Sequence, residues 1–321
     1  MLEKKLENAM PARLLALALM FLAPLAAEAR EPWQIGHGPY LTASDVTAHN
    51  KFPQDMADIR AALSGDKPDW NAALVLFTYG KHFKAHSVAR FADNYNGRLD
   101  RYLAAAARHY GSASFQNAFL FAAIGHTGRF ARSPDAERIA ALDAGMTALL
   151  LNYMRYELGE AERKAKDEKP NWSLTNGAPK NWNEVFAFYY GPDGKHGAFE
   201  AIAGLPNGEK LNMRILNALA RGQTDLVAQK WTPEAAANLR AAIDAASLAL
   251  FREALKKAAG AAEAELPVAR ARAAGFWLGA VDAVMRADPP RVPAIDKALS
   301  GTPDPVAIRA AVSALGTFPG E

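Results

Sequence analysis

Between Pro134 and Lys166 the apolar side chains Leu142, Met146, Leu149 and Tyr153 fall four, three and four residues apart. That is the spacing of one buried face on a long α-helix. Alternating apolar and polar runs are nearly absent, alanine is abundant, and Val and Ile are sparse. The same spacing predicts helices over 55–64, 70–83, 96–109, 114–124, 134–166, 182–190, 208–221, 233–264, 268–287, 292–300 and 305–315. Ser133-Pro134 and Thr232-Pro233 each place a capping hydroxyl before a proline at a helix start. The segments 169–180 and 191–197, rich in Asn, Pro and Gly, read as loops. The predicted class is all-α, a helical bundle.

Internal similarity points to a duplicated architecture. Trp70-Asn71 and Trp182-Asn183 both open a helical run, and both runs end in an aromatic pair or run closed by Tyr-Gly. Ala140-Ala141-Leu142-Asp143-Ala144 matches Ala241-Ala242-Ile243-Asp244-Ala245 at an offset of 101. The expected organisation is a signal segment over 1–29, an N-terminal helical half over 30–222 and a C-terminal half over 223–321, the halves packing on each other.

The first residues read as an export signal. An apolar stretch from Leu14 to Ala27 is too short to span a bilayer and ends in Ala27-Glu28-Ala29, a cleavage-like site. Met10, with Arg13 as its cation, is the expected start. No cysteine follows, so no lipid anchor is expected, and no later run is long and apolar enough to cross a membrane. The expected location is the periplasm or the exterior. With no cysteine anywhere, disulfides, thiolate metal sites and thiol nucleophiles are excluded, and stability rests on core burial. The net charge of +3, with no basic cluster, argues against nucleic acid as a partner.

Two carboxylates continue the buried line of the long helix: Glu157 and Glu160. Acids on an apolar stripe are costly unless paired, protonated or bound to a cation. At the offset of 101 these positions are Ala258 and Ala261, so the scaffold recurs without the acids. The competing reading is a helix emerging into solvent, with Arg163 and Lys164 pairing Glu160. Glu184 is the lone acid in an apolar, aromatic segment. It is either a partner of the helix dipole near the start of its helix or a ligand beside Trp182, Phe188 and Tyr190. His82 and His86 stand four apart and would share a face if the helix continued past Gly80, a spacing that chelates divalent metals. His49 could join a site with Asp45, while His37 and His126 look like turn residues. Nucleophile-elbow, phosphate-loop, dinucleotide and EF-hand motifs are absent, and no catalytic triad is favoured.

The run Asn181-Trp182-Asn183-Glu184-Val185-Phe186-Ala187-Phe188-Tyr189-Tyr190-Gly191 resembles the W-[DN]-E-x-x-A-F-Y-x-G signature of the algal iron-assimilation proteins. These are secreted, low-iron-inducible periplasmic proteins with bacterial relatives. Tyr79-Gly80-Lys81, Tyr156-Glu157-Leu158-Gly159-Glu160-Ala161 and the segment from Ala271 to Trp277 resemble further stretches of that family in the same order. The resemblance implies an extracytoplasmic role in iron acquisition, by binding or delivery rather than catalysis, and puts Glu157 and Glu184 on acidic positions of the family pattern. It departs where Tyr156 replaces a His, where a later Glu is missing, and in lacking the cysteines of the algal proteins.

The resulting expectation is an exported protein that binds iron or another transition metal through Glu157, Glu160, Glu184, His82, His86 and His49. It would work with a membrane transporter or receptor. Oxygen and nitrogen donors without thiolate suit iron, zinc or manganese alike. Two alternatives are a hydrolase with a metal at the same place, beside a pocket of Trp182, Tyr189 and Tyr190, and an envelope docking module without metal.

Overall fold

The computed structural model describes residues 31–93 and 97–316. The expected export signal and its cleavage site lie outside these residues. Everything from Trp33 onward belongs to one compact unit, built almost wholly of helices: α1 (Thr47–Asn50), α2 (Phe52–Ala62), α3 (Trp70–Tyr79), α4 (Val88–Ala92), α5 (Leu99–Tyr102), α6 (Ala104–Tyr110), α7 (Phe115–Ile124), α8 (Asp135–Ala165), α9 (Ala178–Tyr190), α10 (Ala198–Ala203), α11 (Gly208–Val227), α12 (Pro233–Gly260), α13 (Leu266–Ala287), α14 (Val292–Leu299) and α15 (Pro305–Leu315). A two-residue hairpin, Gly36–His37 against Tyr40–Leu41, is the one strand pairing among the described residues.

The all-α reading holds, and the differences from it are local. The run expected over 96–109 is broken at Leu103 into α5 and α6. The helix from Trp70 stops at Tyr79, because Gly80 adopts φ +66, a conformation that β-carbon sterics disfavour in other residues. Gly191 closes α9 in the same way, at φ +67, so the two Tyr-Gly endings are one helix-stop device used twice. The expected caps do not form: α8 is preceded by Pro134 itself, and the Thr232 hydroxyl donates to Asp225 instead. The loop expected over 169–180 ends early, and α9 begins at Ala178, with Pro179 in its first turn.

The core is organised by α8, which packs on α13, α9, α7 and α12. Its tightest neighbour is α13. A β-carbon on Gly275 would lie 2.6 Å from the Ala141 carbonyl oxygen, 2.7 Å from Ala144 Cβ and 2.7 Å from Gly145 N. Alanine and glycine on both helices therefore let the two backbones approach closely, and dispersion contacts fill the gap that larger side chains would hold open. The alanine richness of the sequence is in part the price of this seam.

The matched aspartates at offset 101 occupy similar chemistry. Asp143 accepts from Arg60 (2.6 Å) and Arg272 (3.0 Å), and Asp244 accepts from Arg155 (2.9 Å) and Arg286 (2.7 Å). Burial alone would raise the Asp244 carboxyl, but Arg155 and Arg286 outweigh it and hold its pKa below the usual value.

Gly275→Ala forces backbone apart and should cost about 1–3 kcal/mol in urea denaturation. Gly204→Ala, whose β-carbon would meet only the Ala201 carbonyl oxygen at 3.5 Å, should be near neutral. Asp244→Asn leaves Arg155, whose side chain is 2% exposed, without its counter-charge and should cost about 3–5 kcal/mol at neutral pH. Because the Asp244 pKa is depressed on folding, its stabilisation is present above the unfolded pKa of about 3.9. It is lost as pH falls through the lower folded value. The acid limb of a Tm-against-pH curve should therefore be flatter in Asp244→Asn than in the wild type.

Candidate functional site

The early start of α9 decides how its side chains point. Glu184 is the seventh residue of the helix rather than the second or third, so the dipole-partner role expected for it is not available. It lies instead one turn beyond Asn181, on the same face, turned toward α8. On α8 the buried line runs as expected through Leu142, Met146, Leu149 and Tyr153 and then reaches Glu157, which is 5% exposed. Glu184 is 6% exposed. The solvent-emergence reading fails for Glu157.

Asn181 ties the two acids together. Its side-chain Nδ2 donates to Glu157 Oε2 and, at 3.1 Å, to Glu184 Oε2. Its Oδ1 accepts from Lys164 Nζ at 2.6 Å, and the same ammonium donates to the Asn176 carbonyl at 2.7 Å. The Glu157 carboxyl is pushed well above the ordinary carboxylate range, first by burial and next by the negative field of Glu184, with which it shares a hydrogen bond. Two carboxyls in one dry place cannot both ionise freely. A proton between them, or a cation, resolves the conflict.

His49, on the single turn of α1, supplies the third group. Its Nδ1 is 3.3 Å from Glu184 Oε1, yet it is buried without a hydrogen-bond partner. Burial lowers the pKa of this imidazole despite the pull of Glu184, and Lys180 and His86 lower it further, which favours the neutral ring. Phe83 and Phe188 flank it, with ring centroids 5.2 and 5.9 Å away. Lys180 Nζ stands 3.7 Å from Glu184 Oε1 and also donates to the Asp45 carbonyl.

The other expected ligands go elsewhere. Glu160 is not part of the buried pair: it accepts from Tyr102 (2.5 Å) and from Arg163 (2.8 Å), the surface pairing that its neighbours predicted. His82 and His86 do not share a helical face, because Gly80 ends α3 before them. Instead the Asp55 carboxylate collects the backbone N–H groups of Lys81, His82 and Phe83, and His82 Nε2 lies 3.0 Å from Asp58 Oδ2. His86 turns toward Phe83 and Phe91, on the His49 side. Asp45 is occupied by the amide and hydroxyl of Thr47. Trp182 and Tyr189 line no opening: the indole donates to the Leu219 carbonyl (2.9 Å), the phenol to Asn212 Oδ1 (2.7 Å), and both are buried.

Asn181 and Lys180 were not singled out by sequence reasoning, and Lys164, expected to pair with Glu160, reaches Asn181 instead. The available signal was the i, i+3 spacing of Asn181 and Glu184, hidden by placing the helix start at Trp182. Among the described residues no three acids and imidazoles already converge as a metal cage. The donor set nevertheless suits a hard or borderline cation: two carboxyls facing one another and a neutral imidazole with an unused nitrogen.

The strained carboxyl pair has a measurable signature. With a pKa raised on folding, Glu157 contributes stability that is fully present below its unfolded pKa of about 4.3. That contribution is lost as pH rises through the folded value. Glu157→Gln keeps the contact with Asn181 and removes the titration. The metal-free variant should therefore hold its Tm as pH rises above that unfolded value, where the wild type declines.

Comparison with known proteins bears on the same residues. The family model described as low iron-inducible periplasmic protein matches residues 14–204, a span that holds His49, Glu157, Asn181 and Glu184. No curated protein and no solved structure matches the chain. With more than half of its length covered by that model, the chain belongs to the low iron-inducible periplasmic protein family, an iron-related family of the cell envelope.

Proposed function

We propose that this protein binds iron, or a transition metal of similar chemistry, as cargo in the cell envelope, and acts by holding and delivering the ion rather than by catalysis. The observation that carries this reading is the Glu157–Glu184 pair: two buried carboxyls held against each other by one amide, with the Nδ1 of His49 3.3 Å from a Glu184 oxygen but not hydrogen-bonded to it. A fold that needed only stability would be served as well by apolar residues of similar volume. A cation removes the repulsion that now raises the Glu157 pKa, and the neutral imidazole adds a nitrogen donor.

Lys164 and Lys180 give the pair a counter-charge in the metal-free protein. Lys180, the nearer to a Glu184 oxygen, would compete with an entering cation. His49, whose side chain is 24% exposed, and Lys180 at 17% mark the edge from which an ion would enter. A membrane transporter or receptor that receives the cargo is part of the same proposal.

The deciding experiment is metal analysis of protein purified from the periplasm, followed by anaerobic Fe(II) titration of stripped protein. Stoichiometric iron is expected, lost in Glu157→Gln and in Glu184→Gln with helicity unchanged. Asn181→Leu, which removes an outer contact to both acids, should weaken binding about 10- to 100-fold. Unaltered affinity in the two Gln variants would dismiss this site.

A further inference from the structure

Arg155 and Glu157 are two residues apart on α8 and so project to opposite sides of the helix. Beyond Arg155 lies a cleft of about 340 Å³ walled by α5, α6, α8, α12 and α13. Five guanidiniums line it: Arg101, Arg108, Arg155, Arg240 and Arg286. The lining holds one carboxylate, Asp282. Asp244 and Glu162 stand behind it, each already bound to arginines of the cleft. Setting these three acids against five arginines leaves an excess of two positive charges.

Several of the guanidiniums are fixed before any ligand arrives. Arg155 is held by Asp244, by Asn152 Oδ1 at 2.7 Å and by Ser247 Oγ at 2.9 Å. Arg286 is held by Asp282 at 3.0 Å and Asp244 at 2.7 Å, and Asp282 is itself fixed by the backbone N–H groups of Ala105 and Ala106. Arg286 uses its Nε and one Nη in this way and remains 45% exposed, so its other donors face outward. Arg240 pairs with Glu162 at 3.2 Å, its one such contact among the described residues. Arg108, exposed on α6, has no ion pair or side-chain hydrogen bond among the described residues. The inner arginines are neutralised by Asp244 and Asp282, so the excess falls on the outward donors at the mouth of the cleft. An anion would relieve it.

We propose that this cleft binds a small oxyanion of two or more negative charges. Guanidinium forks match phosphate and carboxylate oxygens in pairs, and arginines already fixed by Asp244 and Asp282 lose little freedom on binding. The cleft volume suits a ligand of that size rather than a macromolecule. Its walls include α12 and α13, so the site is distinct from the Glu157–Glu184 pair and needs no metal.

The test is calorimetric titration of the metal-free protein at low ionic strength with inorganic phosphate and, separately, with succinate. At least one should bind, and Arg108→Gln and Arg101→Gln should each weaken it about tenfold. Lys230→Gln, which removes the same charge outside the cleft, should leave the affinity unchanged. Binding of phosphate alone would identify a phosphoryl ligand, and of succinate alone a polycarboxylate. Glu157→Gln should bind the anion as the wild type does, which separates this result from the iron titration. Absence of binding by both anions, or equal weakening in Lys230→Gln, overturns the proposal.

Discussion

Almost no face of α8 meets solvent: α13 closes one side, α9 another, and α7 and α12 much of the rest. The Gly275 crossing makes this possible by bringing α13 down onto the backbone of α8. A helix enclosed in this way cannot leave polar side chains to water, so each one it carries must find a partner inside the fold. Asn152 and Arg155 do so toward α12 and α13. Glu157 does so toward α9, through Asn181. The enclosure of one helix therefore generates both polar networks, on opposite sides of the same two turns.

The networks solve the problem differently. Around Arg155 the charges alternate, with Asp244 lying between two guanidiniums, and burial is compensated by opposite charge. Around Glu157 like meets like. Asn181 presents one amide nitrogen to both carboxyls, and the lysines reach the pair's edges rather than its centre. At the position matched to Glu157 by the offset of 101, α12 carries Ala258, fully packed at 1% exposure. A buried methyl is thus tolerated by a comparable helix, and retaining a carboxyl there is a choice against stability.

The class and the long helices were legible because their spacing is regular over many residues. The apolar stripe through Tyr153 was legible from the spacing of α8, but whether Glu157 and Glu160 stay on it or emerge into solvent was not, and only Glu157 lies buried on it. Short helices such as α1, α4 and α10 were not legible, since four to six residues hold too few turns to show a period. That loss mattered, because α1 carries His49. The other miss was one of boundary: Pro179 read as loop composition when it sits in the first turn of α9. Shifting a helix start by four residues moved Glu184 from a capping position to a buried face. Partner choice was the least legible of all. Glu160 and Glu157 are equivalent as sequence, and only the placement of Tyr102 and Arg163 separates the surface pair from the buried one.

The family match ends between two helices of the single compact unit. The matched span ends at residue 204, after α10 and before α11. It contains the carboxyl pair and its imidazole, which the fold brings together from α1, α8 and α9. The arginine cleft has a different composition: Arg101, Arg108 and Arg155 come from the matched span, whereas Arg240, Asp282 and Arg286 come from α12 and α13 beyond it. Those later helices also supply the seam that encloses α8. The C-terminal helices therefore pack on the helix that carries Glu157 and complete the arginine network on its other side. The carboxyl pair on one side of α8 and the arginine cleft on the other thus share one enclosed helix as their support.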